Sequence, residues 1–257
     1  MAWLLASASG PETLTLPGFR LHLEVPEEIG PDRLEELVRP GVVLWLQTSS
    51  NALKRSVAER VERAEVAYVQ VHPPLAASVG EFFGARVHPW VALEGLDVSS
   101  YRRWAPLGTA VDVEGVLSEE RARALGALRP LAIRWRPAAA PAEGEWARTR
   151  ELGGLEVRPL APLPACARPL PGAQRVRLRL PVADADSSAS GCGFALRLEV
   201  PVSLSEVELR TLLVQHPGAE LWAAVRNDDE AASAAALVRL LSEALPTAHT
   251  KAGTAAH

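Results

Sequence analysis

The sequence predicts an α/β protein, a (β/α)8 barrel of the TIM type, with parallel strands and one irregular, Pro-rich excursion before its seventh strand. Three observations predict it. Apolar strand-like runs alternate with helical patterns at a steady pace, which is the mark of parallel βαβ units. The stretch FRLHLEVP at Phe19–Pro26 returns as FALRLEVP at Phe194–Pro201, with six of eight letters the same. The length, 257 residues, suits one barrel, for which about 250 is typical.

The strands are expected at Phe19–Val25, Val42–Thr48, Val66–His72, Val87–Glu94, Thr109–Glu114 and Leu131–Arg136, with two more near the C-terminus. Between them, PDRLEELV opens with Pro31, whose fixed φ suits a first helical turn. NALKRSVAERVERA places Leu53, Val57 and Val61 at helical spacing. SEERARALGAL begins with Ser118 as N-cap and carries glutamates in its first turn, where the helix dipole favours them. After the second copy of the repeated strand come the helix SLSEVELRTLLVQ, the strand PGAELW at Pro217–Trp222 and the closing helix DDEAASAAALVRLLSEAL. PGVVLW at Pro40–Trp45 is the earlier counterpart of PGAELW, so a strand-helix-strand-helix unit stands at each end. Ends that can meet favour a closed barrel over an open sheet.

The whole chain, 1–257, is read as one barrel domain, with 137–193 as an insertion or arm and 247–257 as a disordered tail. The stretch 137–193 is Pro-rich and irregular, yet it contains two strand-like pieces, LEVRPL and RVRLRLPV. One of these is open to service as a barrel strand.

Strand side chains alternate between faces. With Leu21, Leu23 and Val25 toward the helices, His22 and Glu24 face the lumen; at the second copy Arg197 and Glu199 do. The same parity brings in Trp45, Gln47, Tyr68, Gln70, His72, His88, Trp90, Glu94, Asp112, Glu114, Arg134, Arg136, Trp222 and Arg226. Barrel interiors are usually layered with branched apolar residues. A barrel kept only for stability would be better served by Val and Leu, because burying ion pairs gains little.

The candidate site is therefore the C-terminal end of the lumen, where barrel enzymes act. Glu94, Glu114, Glu199 and His72 are candidate catalytic groups. Arg134, Arg136, Arg226, Gln47 and Gln70 are candidates for binding substrate, since guanidinium forks suit a carboxylate or phosphate. Glu94, Asp112 and Glu114 form an oxygen-ligand set of the kind that holds Mg²⁺ or Mn²⁺. This points to an enzyme for a small anionic substrate, with lyase, isomerase and hydrolase chemistry all open. A glycoside hydrolase using Glu94 and Glu199 is one alternative. A non-catalytic scaffold or partner-binding barrel, its lumen charges paired with one another, is the other.

Several classes are disfavoured. Lysine occurs only at positions 54 and 251, neither placed for a Schiff base or PLP. No GxGxxG, Walker loop, GxSxG or HExxH is present, so NAD, ATP, serine-hydrolase and zinc-hydrolase readings lack a motif. A net charge of -4 gives no basic footprint for nucleic acid. No apolar run reaches the roughly 18 residues a bilayer requires, and MAWLLASASG lacks the cationic start of a signal peptide. The expectation is a cytoplasmic protein with no membrane or nucleic-acid partner, for which a small-molecule ligand and a homo-oligomer are both open. Cys166 and Cys192 are expected as free thiols on that basis. The Arg-, Ala- and Pro-rich composition fits a GC-rich, bacterial-like genome.

Overall fold

Ten strands, all parallel, close into one barrel in a computed structural model. It describes residues 21–50, 55–72, 83, 86–95, 108–149, 152, 154–160, 163, 166–167, 169–170, 172–185 and 192–244. The proposed tail, 247–257, lies outside these residues. The strands are β1 (Leu21–Pro26), β2 (Val42–Gln47), β3 (Val66–Gln70), β4 (Val87–Ala92), β5 (Ala110–Glu114), β6 (Ala132–Arg136), β7 (Leu155–Val157), β8 (Val176–Pro181), β9 (Ala195–Glu199) and β10 (Glu220–Ala224). The helices are α1 (Pro31–Leu37), α2 (Arg55–Val61), α3 (Glu119–Leu128), α4 (Glu143–Thr149), α5 (Glu206–Gln215) and α6 (Asp228–Ala244).

The closed α/β barrel expected from the sequence is present, with ten strands where the repeat pattern gave eight. The additional pair is β7 and β8, both from the stretch read as an excursion. Each strand pairs with its neighbours in the sequence. The ring is completed by β1 against β10, with Leu21 opposite Leu221 and His22 opposite Trp222. The repeated strand-helix units therefore touch, through β1 of one and β10 of the other.

Local chemistry agrees with this architecture. Pro31 opens α1. The Ser118 side chain caps α3 by accepting from the Arg121 amide. Ser205 and Glu208 form a reciprocal capping box at α5, where each side chain satisfies the other residue's amide. The outer strand faces, among them Leu21, Leu23, Val111, Val113, Leu178 and Leu198, are buried in one continuous core with helix residues such as Leu34, Leu125, Leu209 and Leu237.

One side of the barrel is built differently. Among the described residues, the β7–β8 and β8–β9 connections carry only single turns of 3-10 helix, at Ala173–Arg175 and Val182–Asp184. Here Cys166 and Cys192 form a disulfide, with Cα atoms 4.9 Å apart, which corrects the expectation of two free thiols. The Leu170 amide also donates to the Cys192 carbonyl at 2.9 Å, and Phe194 packs 5.1 Å from the Trp146 ring of α4. The disulfide joins connections in which, among the described residues, there is no α-helix.

Candidate functional site

The lumen is stratified. Its N-terminal part is an aromatic plug. Trp45 stacks on Tyr68 at 4.1 Å and meets Trp90 edge-on at 5.6 Å, and Trp222 stacks on His22 at 5.6 Å. All four aromatic side chains are buried, together with Val43, Val66, Ala110 and Ala132. Barrel diameter grows with strand number, and eight strands already leave an interior that side chains just fill. Ten strands enclose more, so only long or bulky residues can span the space. That gives tryptophan and arginine a packing role here which a count of eight strands would not suggest.

His22 is fixed within the plug. Trp45 Nε1 donates to His22 Nδ1 at 3.1 Å, so the ring proton belongs on Nε2, which lies 3.2 Å from Glu220 Oε2. Burial, helped by the nearby charge of Arg197, pushes His22 down to about 4. It is neutral at pH 7.

Charge lies above the plug at Arg134 and beside it at Glu220, which precedes Trp222 on β10 and meets His22, Arg177 and Arg197. Arg134 grips Asp112 with two bonds of 2.7 Å and places its guanidinium 3.9 Å from the Trp90 ring and 4.5 Å from that of Trp45. Burial opposes the charge on Arg134, but the bonded Asp112 outweighs it and raises the pKa. Arg197 binds both Glu156 and Glu220. Burial would raise both carboxyls. Arg197, aided by Arg179 at Glu156 and by the His22 contact at Glu220, instead holds them below the ordinary range.

Arg179 stands at the centre. Its Nε is 2.8 Å from Glu199 Oε1, and its Nη1 is 3.7 Å from Glu24 Oε2 and 3.8 Å from Glu156 Oε1. Its guanidinium covers the Trp222 ring at 3.7 Å. Burial prevails over the attraction of Glu156 and Glu199, so its pKa falls to about 10 and the group stays cationic. Among the described residues the buried donors of this layer that make no hydrogen bond include Arg134 Nη1, Trp222 Nε1 and Arg179 Nε, the last meeting Glu199 as an ion pair only.

The candidates from the sequence are distributed unevenly. Glu24, Asp112, Arg134, Arg197 and Glu199 all join the charged layer, in keeping with strand parity. Gln47 donates to Glu24 Oε1. At the rim, Gln70 Oε1 accepts from the Thr48 amide at 3.3 Å, and His72 Nε2 lies 2.7 Å from the Thr48 carbonyl. Arg136 pairs with the exposed Glu114 at 3.4 Å. Glu94 departs from the expectation. β4 ends at Ala92, the next residues turn into 3-10 helix, and Glu94 instead meets Arg121 of α3 at 3.0 Å. Arg226 is exposed where the chain enters α6, its amide donating to Glu230.

The set Glu94, Asp112 and Glu114 is thus committed to three different arginines. Among the described residues no group of three or more His, Cys, Asp or Glu could share a metal ion.

Sequence reading missed Glu156, Arg158, Arg177, Arg179 and Glu220. A signal existed. Leu-Glu-Val occurs not only at Leu23–Val25 and Leu198–Val200 but also at Leu155–Val157, and the residues Val176–Leu180 alternate apolar and arginine. The three glutamates of these three triplets are the three that approach Arg179.

No family model matches the chain, and no curated protein matches it. Fold and lumen alone define it as a closed parallel α/β barrel with a buried, charged interior.

Proposed function

We propose that the barrel is an enzyme for a small anionic molecule, a carboxylate or phosphate, taken up at the C-terminal mouth. The observation that carries this reading is a pair of neighbouring arginines at the rim. Arg134 is in register with Glu156 and Trp135 with Val157, so Arg136 and Arg158 follow at the C-terminal ends of neighbouring strands. Their side chains are 36% and 40% exposed, unlike the buried Arg134, Arg179 and Arg197. Each has one carboxylate partner, Arg136 the exposed Glu114 and Arg158 the Glu199 side chain, and planar forks this exposed suit an oxyanion that joins or replaces that partner. Glu199, 22% exposed, pairs with Arg158, and Glu24, 12% exposed, lies beside Arg134 and Arg179; these are the carboxylates we assign to proton transfer.

The test is a thermal-shift panel of phosphate and small mono- and dicarboxylates, with Mg²⁺ and Mn²⁺ added separately. A ligand that prefers the native state raises the melting temperature. Stabilisation by at least one anion, lost in Arg158→Ala, is expected. No shift with any member would overturn the reading.

A specific observation favours a second reading, a non-catalytic barrel. Each of Glu24, Asp112, Glu156, Glu199 and Glu220 has an arginine nitrogen within 3.9 Å, and the aromatic plug occupies the space below. A lumen with balanced charges is what a wide barrel needs merely to be filled. The same panel separates the two readings.

A further inference from the structure

Both cysteines of the chain are used in the bond between Cys166 and Cys192, and the two lie in unlike surroundings. Cys192 is 1% exposed and belongs to the main apolar core. Cys166 packs against that core but is only partly buried. A disulfide opens when a thiolate attacks one of its sulfurs, and access helps decide which. Here Cys166 is the more accessible of the two.

The bond lies at the entrance to two strands. Cys192 comes just before β9, and the Leu170 amide donates to its carbonyl at 2.9 Å. Leu170 in turn stands just ahead of the Ala173–Arg175 turn, which runs into β8. A Cβ on Gly193 would meet that of Pro169 at 3.2 Å, so the two entering segments are in close contact there. Among the described residues no α-helix backs either connection. β8 and β9 then pair with Arg179 opposite Arg197, and they supply Arg177, Arg179, Arg197 and Glu199 to the charged layer.

We infer that the disulfide is a redox-sensitive latch. A dithiol reductant opens it at Cys166, and opening loosens β8 and β9 ahead of the other strands. The reductant's first thiolate attacks the Cys166 sulfur. The sulfur–sulfur bond breaks, and Cys192 leaves with the electron pair and takes up a proton, since apolar surroundings disfavour a thiolate. The reductant's second thiolate then displaces Cys166, which also ends as a thiol. Two electrons have passed to the protein, and the reductant has become a disulfide. The Leu170–Cys192 hydrogen bond then joins the two segments without a covalent tie. Segments held by few contacts are the first parts of a fold to open. The latch operates alike in an enzyme and in a scaffold.

Hydrogen exchange of the full chain, read by mass spectrometry before and after treatment with dithiothreitol, provides the test. Reduction is expected to speed exchange in peptides covering β8 and β9 at least tenfold more than in those covering β2, β3 and β4. Reoxidation is expected to restore the first pattern. Equal acceleration in all strands would mean a tie that only restrains the unfolded chain, and overturns the latch. So does a disulfide that dithiothreitol leaves closed until the whole barrel unfolds. Glutathione, a monothiol, reports the direction of attack. After an acid quench, peptide mapping is expected to find it on Cys166. No adduct, or one on Cys192, overturns the assignment of Cys166 as the point of entry.

Discussion

Glu199 on β9 gives one carboxylate oxygen to Arg179 on β8, 2.8 Å away, and the same guanidinium faces the glutamates of two other strands. Three copies of a three-letter motif thus converge on one cation. Removing that cation leaves three acidic groups short of compensation in a poorly hydrated space, and breaking a buried pair costs about 3–5 kcal/mol. Arg179→Met is expected to lower the melting temperature by roughly 10 °C, given about 2–4 °C per kcal/mol for a chain of this size. The double variant Arg179→Met/Glu199→Gln is expected to lose less than the two single losses combined. Calorimetry at pH 7 checks both, and an unchanged midpoint in Arg179→Met would show that the convergence carries no stability.

His22 makes stability depend on pH. The unfolded chain binds a proton on this imidazole below about 6.5, whereas the folded chain resists until about 4. The unfolded state therefore takes up more protons across that window, and stability falls with pH by about 3 kcal/mol in all. Glu156 and Glu220, lowered by their arginines, act further down, their stabilisation being lost as pH drops through their depressed values. Urea midpoints measured between pH 7 and pH 4 should decline for the wild type. The decline should be shallower for His22→Gln, whatever that variant's stability at pH 7.

The disulfide makes stability depend on redox conditions. Its cysteines are 26 residues apart, and closing a loop of that length restricts the unfolded chain by about 3–4 kcal/mol. Thiol titration of the unreduced, denatured protein should find none free. Denaturation in excess reductant should begin at lower urea, as should that of Cys192→Ser. Free thiols in protein purified under oxidising conditions would contradict the pairing.

The capping box at α5 gives a smaller, local test. Ser205→Ala removes the acceptor for the Glu208 amide and is expected to cost about 1 kcal/mol. Ser205→Asp, which keeps an acceptor there, should recover most of it. Equal losses in both would mean that Ser205 acts through something other than its cap.

Most of the barrel was legible because burial forces alternation. A strand with Leu21, Leu23 and Val25 against the helices can only turn His22 and Glu24 inward, and the structure has them there. The strand count was harder to read. Leu155–Val157 is three residues long and lies in proline-rich surroundings, too short for periodicity to register. Missing β7 and β8 meant missing Arg179, the residue around which the charged layer is organised. Glu94 illustrates the opposite error. Alternation was extended past the point where β4 ends, and a residue at such a terminus takes its direction from the turn. The compartment that the composition suggests favours free thiols, whereas the pairing of Cys166 and Cys192 follows from the fold bringing two loops together.

The adjacency of β1 and β10 has a consequence for biosynthesis. Of the described strands β1 emerges from the ribosome before the others, and its partner on one side, β10, is made after them. Until then the nascent sheet has two open edges, each a template for pairing with another chain. A product stopped before Glu220 would keep both edges for good. Such fragments should self-associate more readily than the closed barrel.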